Sequence, residues 1–407
     1  MPEQIIFHID VNSAYLSWTA LERLADGDET DLRLIPAIVG GDMVKRHGVV
    51  LAKSIPAKAY GITTGEPVVN ALRKCPNLVM VPPDHTMYEK RSRQLIDFLS
   101  DFCPDLEQVS IDECYMDYTP IRGKYTSPEE AAAIIKDSIF EKFGFTVNIG
   151  ISDKKVLAKM ASDFRKPNLV HTLYSWEIPK KLWPLPVSSL FMCGRSSVET
   201  LRKLGILTIG DLAQADPDIL ESHLKSHGLT LWNYACGRDD SGVFSEPVKM
   251  KWVGNSITLS SDAVTRQDAF HALLALSESV GRRLRSSHET AGLICTEIKY
   301  ATFQSVSHQT TLDVPTASTD VIYRTACGLF DELWNGSPIR LLGVRTSKLT
   351  DDSEPVQLSL FDLNQTAPVS EKQQKLESAL DSIRQKYGSD AIKRGSLLDS
   401  HNKYQKH

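Results

Sequence analysis

Two adjacent carboxylates stand inside an otherwise apolar, strand-like run, Val109-Ser110-Ile111-Asp112-Glu113-Cys114-Tyr115-Met116. Buried without partners, such a pair is strongly unfavourable, so the fold has to bring cations, basic side chains or a metal to it; a solvated hairpin tip is the plainer alternative. A third acid, Asp10, follows the apolar run of residues 5–9, where it either stands at the rim of a sheet or caps the helix expected next. Neighbours on a strand point to opposite faces, so Asp112 and Glu113 share a site only if the backbone bends there. Three carboxylates on neighbouring strands make a hard-oxygen site that selects Mg²⁺ or Mn²⁺ over zinc. The reaction such a site serves best is phosphoryl transfer by two metals about 3.5–4 Å apart.

The first third of the chain alternates strand and helix signals. Strands are expected at 5–9, 35–39, 48–52, 78–81, 109–118 and 145–151, and helices at 13–24, 88–103, 127–143 and 156–164. Ser127, Pro128 and Glu130 read as N-cap, first turn and capping box. This is the pattern of an α+β sheet domain with helices packed on it. Beyond about residue 170 the texture changes. Residues 184–238 read as short helices punctuated by glycine, 239–253 as a polar linker, and 258–350 as a second α+β unit with helices at 266–286 and 321–333 and strands near 293–301, 306–312 and 340–347. The tail opens acidic and ends in a helical stretch, 371–387.

Composition narrows the classes further. At roughly 100–200 residues per domain, 407 residues predict two to four domains and exclude a single small binding module. The formal charge of -5, from 46 Lys+Arg against 51 Asp+Glu, argues against a uniformly basic coat for nucleic acid or an anionic membrane, although patches remain open. Seven scattered cysteines without a C-x-x-C pair suggest neither a disulfide framework nor a zinc site, and fit a reducing cytoplasm. The N-terminus does not read as a signal peptide, and no window approaches the roughly 18 apolar residues of a membrane span.

Several motifs occur together, in order and at matching spacing. They are His8-Ile9-Asp10-Val11-Asn12-Ser13-Ala14-Tyr15, Ser110-Ile111-Asp112-Glu113, Gly150-Ile151-Ser152, Lys155-Val156-Leu157-Ala158-Lys159-Met160-Ala161-Ser162 and Lys166-Pro167-Asn168. Jointly they resemble the Y-family translesion DNA polymerases over about residues 4 to 361. Ile35-Pro36-Ala37-Ile38-Val39-Gly40-Gly41 and Ala71-Leu72-Arg73-Lys74-Cys75-Pro76 are similar to the bacterial polymerase IV (DinB-type) branch. The resemblance implies an α+β multidomain, right-hand polymerase. Its parts would be a ferredoxin-like palm (1–21 and 82–172), small fingers (22–81), a helical, helix-hairpin-helix-like thumb (173–240), a linker (241–252), an α+β little finger (253–350) and a tail (351–407). It further implies template-directed addition of dNTPs to a primer 3′-OH, with two Mg²⁺ ions or Mn²⁺ in their place, in error-prone synthesis past damage. The implied partners are primer–template DNA, dNTP and the sliding clamp. The protein would be a cytoplasmic monomer with no membrane association.

Residue by residue, the resemblance makes Asp10, Asp112 and Glu113 the metal ligands and catalytic acids, with Val11 lending its carbonyl. Tyr15 matches the steric gate, an aromatic ring that clashes with a ribose 2′-OH; read alone it is a core aromatic. Lys166 matches a triphosphate-contacting lysine, whereas Lys155 and Lys159 read as a solvated or backbone-contacting helix face. Where the family offers a Tyr and an Arg to the triphosphate, this chain has Ile55 and Lys58; Lys58 keeps the charge without the bidentate fork. Gly205, in Leu204-Gly205-Ile206-Leu207-Thr208-Ile209-Gly210-Asp211-Leu212, resembles half of a helix-hairpin-helix, while Cys193-Gly194-Arg195 departs from the usual other half. The resemblance makes Gly205, Arg340, Arg345 and Lys348 DNA contacts, the last three tracking the backbone along the final strand of the little finger, whose first helix carries Arg282, Arg283 and Arg285. Gln357, Leu358, Leu360 and Phe361 are similar to a clamp-binding peptide. Two other classes stay open: a non-catalytic clamp-associated DNA-binding or regulatory subunit, and another two-metal enzyme such as a nucleotidyl cyclase.

Overall fold

A computed structural model of the chain describes residues 4–41, 48–244, 249–353, 371–388, 391–392 and 394–395. The chain forms two compact units that part between residues 247 and 248. The first opens with β1 (Ile6–Val11), α1 (Ala14–Ala25), β2 (Ala37–Gly40), β3 (Val50–Lys53), α2 (Ile55–Ala59), α3 (Val68–Lys74) and β4 (Val79–Val81). It continues through α4 (His85–Ser100), β5 (Leu106–Gln108), β6 (Glu113–Asp117), α5 (Pro128–Phe143), β7 (Val147–Ser152), α6 (Lys155–Ser162) and β8 (Val170–Thr172). Five short helices complete it: α7 (Ile178–Lys181), α8 (Arg195–Lys203), α9 (Ile209–Ala213), α10 (Pro217–Leu224) and α11 (Ser226–Ala235).

Two sheets form in this unit, one of order β5-β6-β1-β7-β8 and a smaller one of order β3-β2-β4. All six residues of β1 are buried because the strand is central and covered on both faces. Phe7, Ile9 and Val11 point into the core made with Leu95 and Leu99 of α4 and Ile135 and Ile139 of α5. By the period of two, Ile6, His8 and Asp10 point the other way, where α6 lies. Gly150 on β7 pairs with His8. A Cβ there would come within 2.0 Å of the Ala158 carbonyl oxygen and 2.5 Å of the Ser162 nitrogen, so the helix can approach this sheet only over glycine. Lys154 gives α6 no side-chain cap; the Asp239 carboxylate does so instead, accepting from Val156 N–H at 2.9 Å.

Some elements differ from the sequence reading. The strand expected at 109–118 begins only at Glu113, because Val109 and Ser110 N–H both turn back to the Glu113 carbonyl. That is the bend the acid pair requires. At α5 Ser127 caps Glu130 N–H, but the Glu130 carboxylate takes Thr126 N–H at 2.8 Å instead of closing the box on Ser127. Helix α4 starts at His85, capped by Asp84, earlier than expected.

The second unit runs β9 (Trp252–Ala263), α12 (Arg266–Ser286), β10 (Glu289–Tyr300), β11 (Ser305–Thr316), α13 (Thr319–Leu333), β12 (Ile339–Asp351) and α14 (Glu371–Tyr387). Its sheet is antiparallel in the order β11-β10-β12-β9. Leu273 and Val280 of α12 and Phe330 of α13 pack with Ile294, Ile298, Leu342 and Val344 of the sheet. Ser318 makes no side-chain cap for α13; Glu377 of α14, 3% exposed, supplies one by accepting from Thr319 N–H at 3.0 Å. Among the described residues no helix is long and apolar enough to cross a membrane. All seven cysteines are free.

Candidate active site

The acids converge at one end of the larger sheet. Asp10 stands directly opposite Glu113 in the β1–β6 register, and Val11 N–H donates to the Asp112 carbonyl at 3.0 Å. Asp112 lies in the bend before β6, with its carboxylate accepting from Ser110 Oγ at 2.7 Å. Asn148, opposite Asp10 on the other side, bonds Asn12 and the Ser162 and Arg165 carbonyls, which ties the end of β1 to the loop after α6.

Two lysines occupy the carboxylates. Lys166 Nζ is 2.6 Å from Asp10 Oδ1, and Lys159 Nζ lies 3.4 Å from Asp10 Oδ2 and 2.8 Å from Glu113 Oε1. Both also reach Asp163. Burial raises the Asp10 carboxyl to about 6 against the pull of Lys166 and Lys159. Burial opposes the charge of Glu113 too, but the facing His8 ring and the Lys159 ammonium outweigh it and hold that carboxyl well below its ordinary value. Burial disfavours the ammonium ions of Lys159 and Lys166 as well; Glu113, Asp10 and Asp163 more than restore them, and both are raised. The expectation that Lys155 and Lys159 form a solvated or backbone-contacting helix face is therefore corrected. Every residue of α6 is buried, and Lys155 pairs with Glu107 at 2.7 Å beneath the Tyr115 ring. A lysine in a helix whose other residues are apolar or small has no polar face to join, and that was the available signal.

A cavity of about 770 Å³ opens beside the acids, lined among others by Asp10, Asp112, Tyr15, Lys53, Lys58 and Lys166. The Tyr15 ring stacks on buried Tyr88 with centroids 4.3 Å apart and meets His85 edge-on at 6.0 Å. It is thus neither solvated nor a plain core residue: one side is fixed by the stack while the residue lines the cavity. Ser54 caps α2 by accepting from Ala57 N–H, which places Ile55 and Lys58 on the cavity wall. Lys53 was not singled out from sequence; burial and then Lys58 lower its ammonium pKa. Glu113 lines a neighbouring cavity of about 340 Å³ with Lys155, Lys159, Tyr115 and Asp239.

The remaining expected residues lie elsewhere. Gly205 ends α8 with φ +79°, where its N–H and that of Ile206 close back on the Arg202 and Leu201 carbonyls, so helix termination alone accounts for the glycine. In the second unit, Arg345 and Lys348 are exposed on β12, and Arg340 lies over the Phe303 ring at 4.9 Å. Arg283 donates to the Gly254 carbonyl, and Arg285 is taken by Asp381 of α14 at 2.6 Å, so Arg285 is not a free surface charge. Gln357, Leu358, Leu360 and Phe361 lie outside the described residues.

Among the described residues no three His, Cys, Asp or Glu side chains are drawn together as a ready metal cage. The donor chemistry still suits a hard divalent cation. The groups brought together are carboxylates, and the negative charge of Asp10 and Glu113 is balanced by lysine ammonium groups.

The sequence matches the impB/mucB/samB family over residues 9–163 and that family's C-terminal domain over residues 250–360. DNA polymerase IV of Clostridium acetobutylicum is 45% identical over 98% of this chain and 100% of its own length. DNA polymerase IV of Alkaliphilus oremlandii is 36% identical over 97% of this chain and 99% of its own. DNA polymerase IV 1 of Bacillus subtilis is 36% identical over 97% and 93% respectively. A solved Y-family DNA polymerase chimera superposes with a TM-score of 0.73 at 22% identity, covering 85% of this chain and 99% of that one, a likeness of fold.

Proposed function

This chain belongs to the impB/mucB/samB family, in the polymerase IV (DinB-type) branch of the Y-family DNA polymerases, and from that premise we propose how its own residues carry the reaction. It is a DNA-directed DNA polymerase of the translesion kind, acting on primer–template DNA and dNTPs and dependent on a divalent metal. The full-length relatives are polymerases, and no comparison supports the non-catalytic alternative.

One observation carries the assignment: Asp10 and Glu113 face each other across β1 and β6 while Asp112 is bonded through its backbone to Val11. Asp10, Asp112, Glu113 and the Val11 carbonyl would hold two Mg²⁺ ions, or Mn²⁺ in their place, which when bound activate the primer hydroxyl and neutralise the triphosphate. Lys166 and Lys58 meet the triphosphate oxygens. Lys58 acts as a point charge where a guanidinium would clamp two oxygens, so the nucleotide is held less rigidly at the Ile55 corner. Tyr15, fixed by its stack on Tyr88, bars a 2′-OH. Residues 1–21 with 82–172 serve as palm, 22–81 as fingers, 173–240 as thumb and 253–350 as little finger. Gly205, Arg340, Arg345 and Lys348 contact the DNA backbone. Residues 357–361 dock on the sliding clamp, and the protein works in the cytoplasm as a monomer.

The test is primer extension on an undamaged template with Mg²⁺. The wild-type chain extends; Asp112→Ala falls to background while binding the same DNA. Normal extension by Asp112→Ala contradicts the assignment.

A further inference from the structure

The proposed function leaves His8 without a task. It is fully buried in the middle of β1, where an apolar side chain would avoid the cost of hiding a polar ring. Its Nδ1 is 2.8 Å from Ser162 Oγ, and its Nε2 is 3.4 Å from Glu113 Oε2. That contact falls short of hydrogen-bond geometry, so among the described residues Nε2 is a buried polar atom with no hydrogen-bond partner, and Glu113 Oε2 is the acceptor it faces. Ser162 Oγ is also 2.8 Å from the Lys159 carbonyl, one turn back on α6.

A hydroxyl has one proton to give. If Ser162 gives it to Nδ1, the imidazole proton sits on Nε2 and faces Glu113. The neutral ring that sets no lone pair against the Glu113 carboxylate is therefore the one whose Nδ1 accepts from Ser162 and whose Nε2 carries the proton. That tautomer points an Nε2–H toward Oε2. The other oxygen, Oε1, takes Lys159 Nζ at 2.8 Å. Glu113 is thus held from two sides by groups that both lead back to the Lys159–Ser162 turn. The ring is itself fixed by an edge contact with Tyr115, centroids 4.8 Å apart. His8 is not among the residues lining the large cavity, so any effect on the reaction passes through Glu113.

We propose that His8 is a positioning residue for the polymerase reaction: Nε2–H fixes Oε2 of Glu113 and Ser162 fixes the ring, so the carboxylate keeps one orientation when the charge beside it changes. The inference rests on Glu113 belonging to the reaction site.

Single-nucleotide incorporation is measured for wild type, His8→Leu, His8→Gln, Ser162→Ala and Glu113→Gln. Mn²⁺ affinity is measured by EPR on the same proteins, bound to DNA and a non-hydrolysable dNTP, and also on the His8→Leu/Glu113→Gln and Ser162→Ala/Glu113→Gln pairs. Loss of an outer hydrogen bond to a metal ligand costs about 10–100-fold in affinity or activity. His8→Leu is expected to lower kcat and Mn²⁺ affinity by about that factor with the dNTP KM little changed, and His8→Gln, whose amide N–H can stand in for Nε2–H, to recover most of the loss. In the Glu113→Gln background neither His8→Leu nor Ser162→Ala should lower Mn²⁺ affinity further. If His8→Leu fails to fold, Ser162→Ala carries the comparison, weakening Mn²⁺ binding only when Glu113 is present. Equal damage from His8→Gln and His8→Leu, or an undiminished effect of either substitution in Glu113→Gln, overturns the proposal. Wild-type kcat and Mn²⁺ affinity in Glu113→Gln would instead remove Glu113 from the site, and the inference would fall with it.

Discussion

Two carboxylates facing each other across β1 and β6 repel, and Lys159, inserted between Asp10 and Glu113, offsets that repulsion from a side chain that is itself 9% exposed. Removing one member of a buried ion pair typically costs about 3–5 kcal/mol. Lys159→Met should therefore lower the unfolding free energy by roughly 3 kcal/mol in EDTA. Added Mg²⁺ should restore part of it by binding the freed acids. An unchanged melting temperature in EDTA would deny the lysine this role. Tyr15 makes a second prediction at the same scale. Its ring is backed by Tyr88, so Tyr15→Ala opens space where a 2′-OH would fall and should admit ribonucleotides; unchanged sugar discrimination would refute the gate. The acids were legible in the sequence because charge inside an apolar run has to be explained. Lys159 was legible only in part: the apolar and small residues of α6 leave it no polar face, but lysines at i and i+4 taken alone look the same on a solvated face as under a sheet, and the placement of α6 across β1 and β7 decides. Lys53 was missed for the same reason: its environment is made by Lys58 and the cavity, not by its sequence neighbours.

Helix α6 can deliver Lys159 and Ser162 to the acidic face because β7 presents Gly150 beneath it. Gly150→Ala forces a Cβ into the helix backbone, which cannot rotate away as a side chain can. Overpacking of this kind costs about 1–3 kcal/mol and occasionally more, and here the upper end or beyond is expected in chemical denaturation, together with reduced polymerase activity. In the second unit, Glu377→Ala should uncap α13 and remove the longer of two Arg285 ion pairs, the one to Asp381 remaining, lowering stability by about 1–2 kcal/mol. A variant as stable as wild type would show that α14 adds nothing there. Long, well-capped helices such as α12 were legible to the residue, since Thr265 and Asp268 mark the start and the apolar period runs unbroken. Strand β9 was not, because Trp252–Ala263 opens with exposed Trp252 and is interrupted by Gly254, Asn255 and serines; it is a strand by virtue of pairing with β12. The acid pair also looked like mid-strand residues, and only the return of Val109 and Ser110 N–H to Glu113 shows that the strand starts later.

A net charge of -5 is compatible with DNA binding when the basic groups that touch phosphate are few and local. The acids of the site need negative charge, and the exposed candidates Arg345 and Lys348 share a single strand. Three to five phosphate contacts give a slope of about -3 to -5 for log affinity against log salt. A slope near -10 would point to an extended basic surface that the composition does not favour. Weak intrinsic affinity is the circumstance in which the clamp tether proposed for residues 357–361 would matter, and on that proposal replacing Leu360 and Phe361 with alanine should abolish stimulation by the clamp. The central claim, that Asp10 and its opposite acid hold the metal for nucleotide transfer, is tested most directly by single-turnover incorporation of one dNTP with Asp10→Asn, which keeps the shape of the side chain and removes its charge. At saturating dNTP and Mg²⁺ the rate should fall by about 10³-fold, roughly 4 kcal/mol of transition-state stabilisation, with DNA affinity changed by less than about twofold. Incorporation at the wild-type rate by a folded, DNA-binding Asp10→Asn would contradict it.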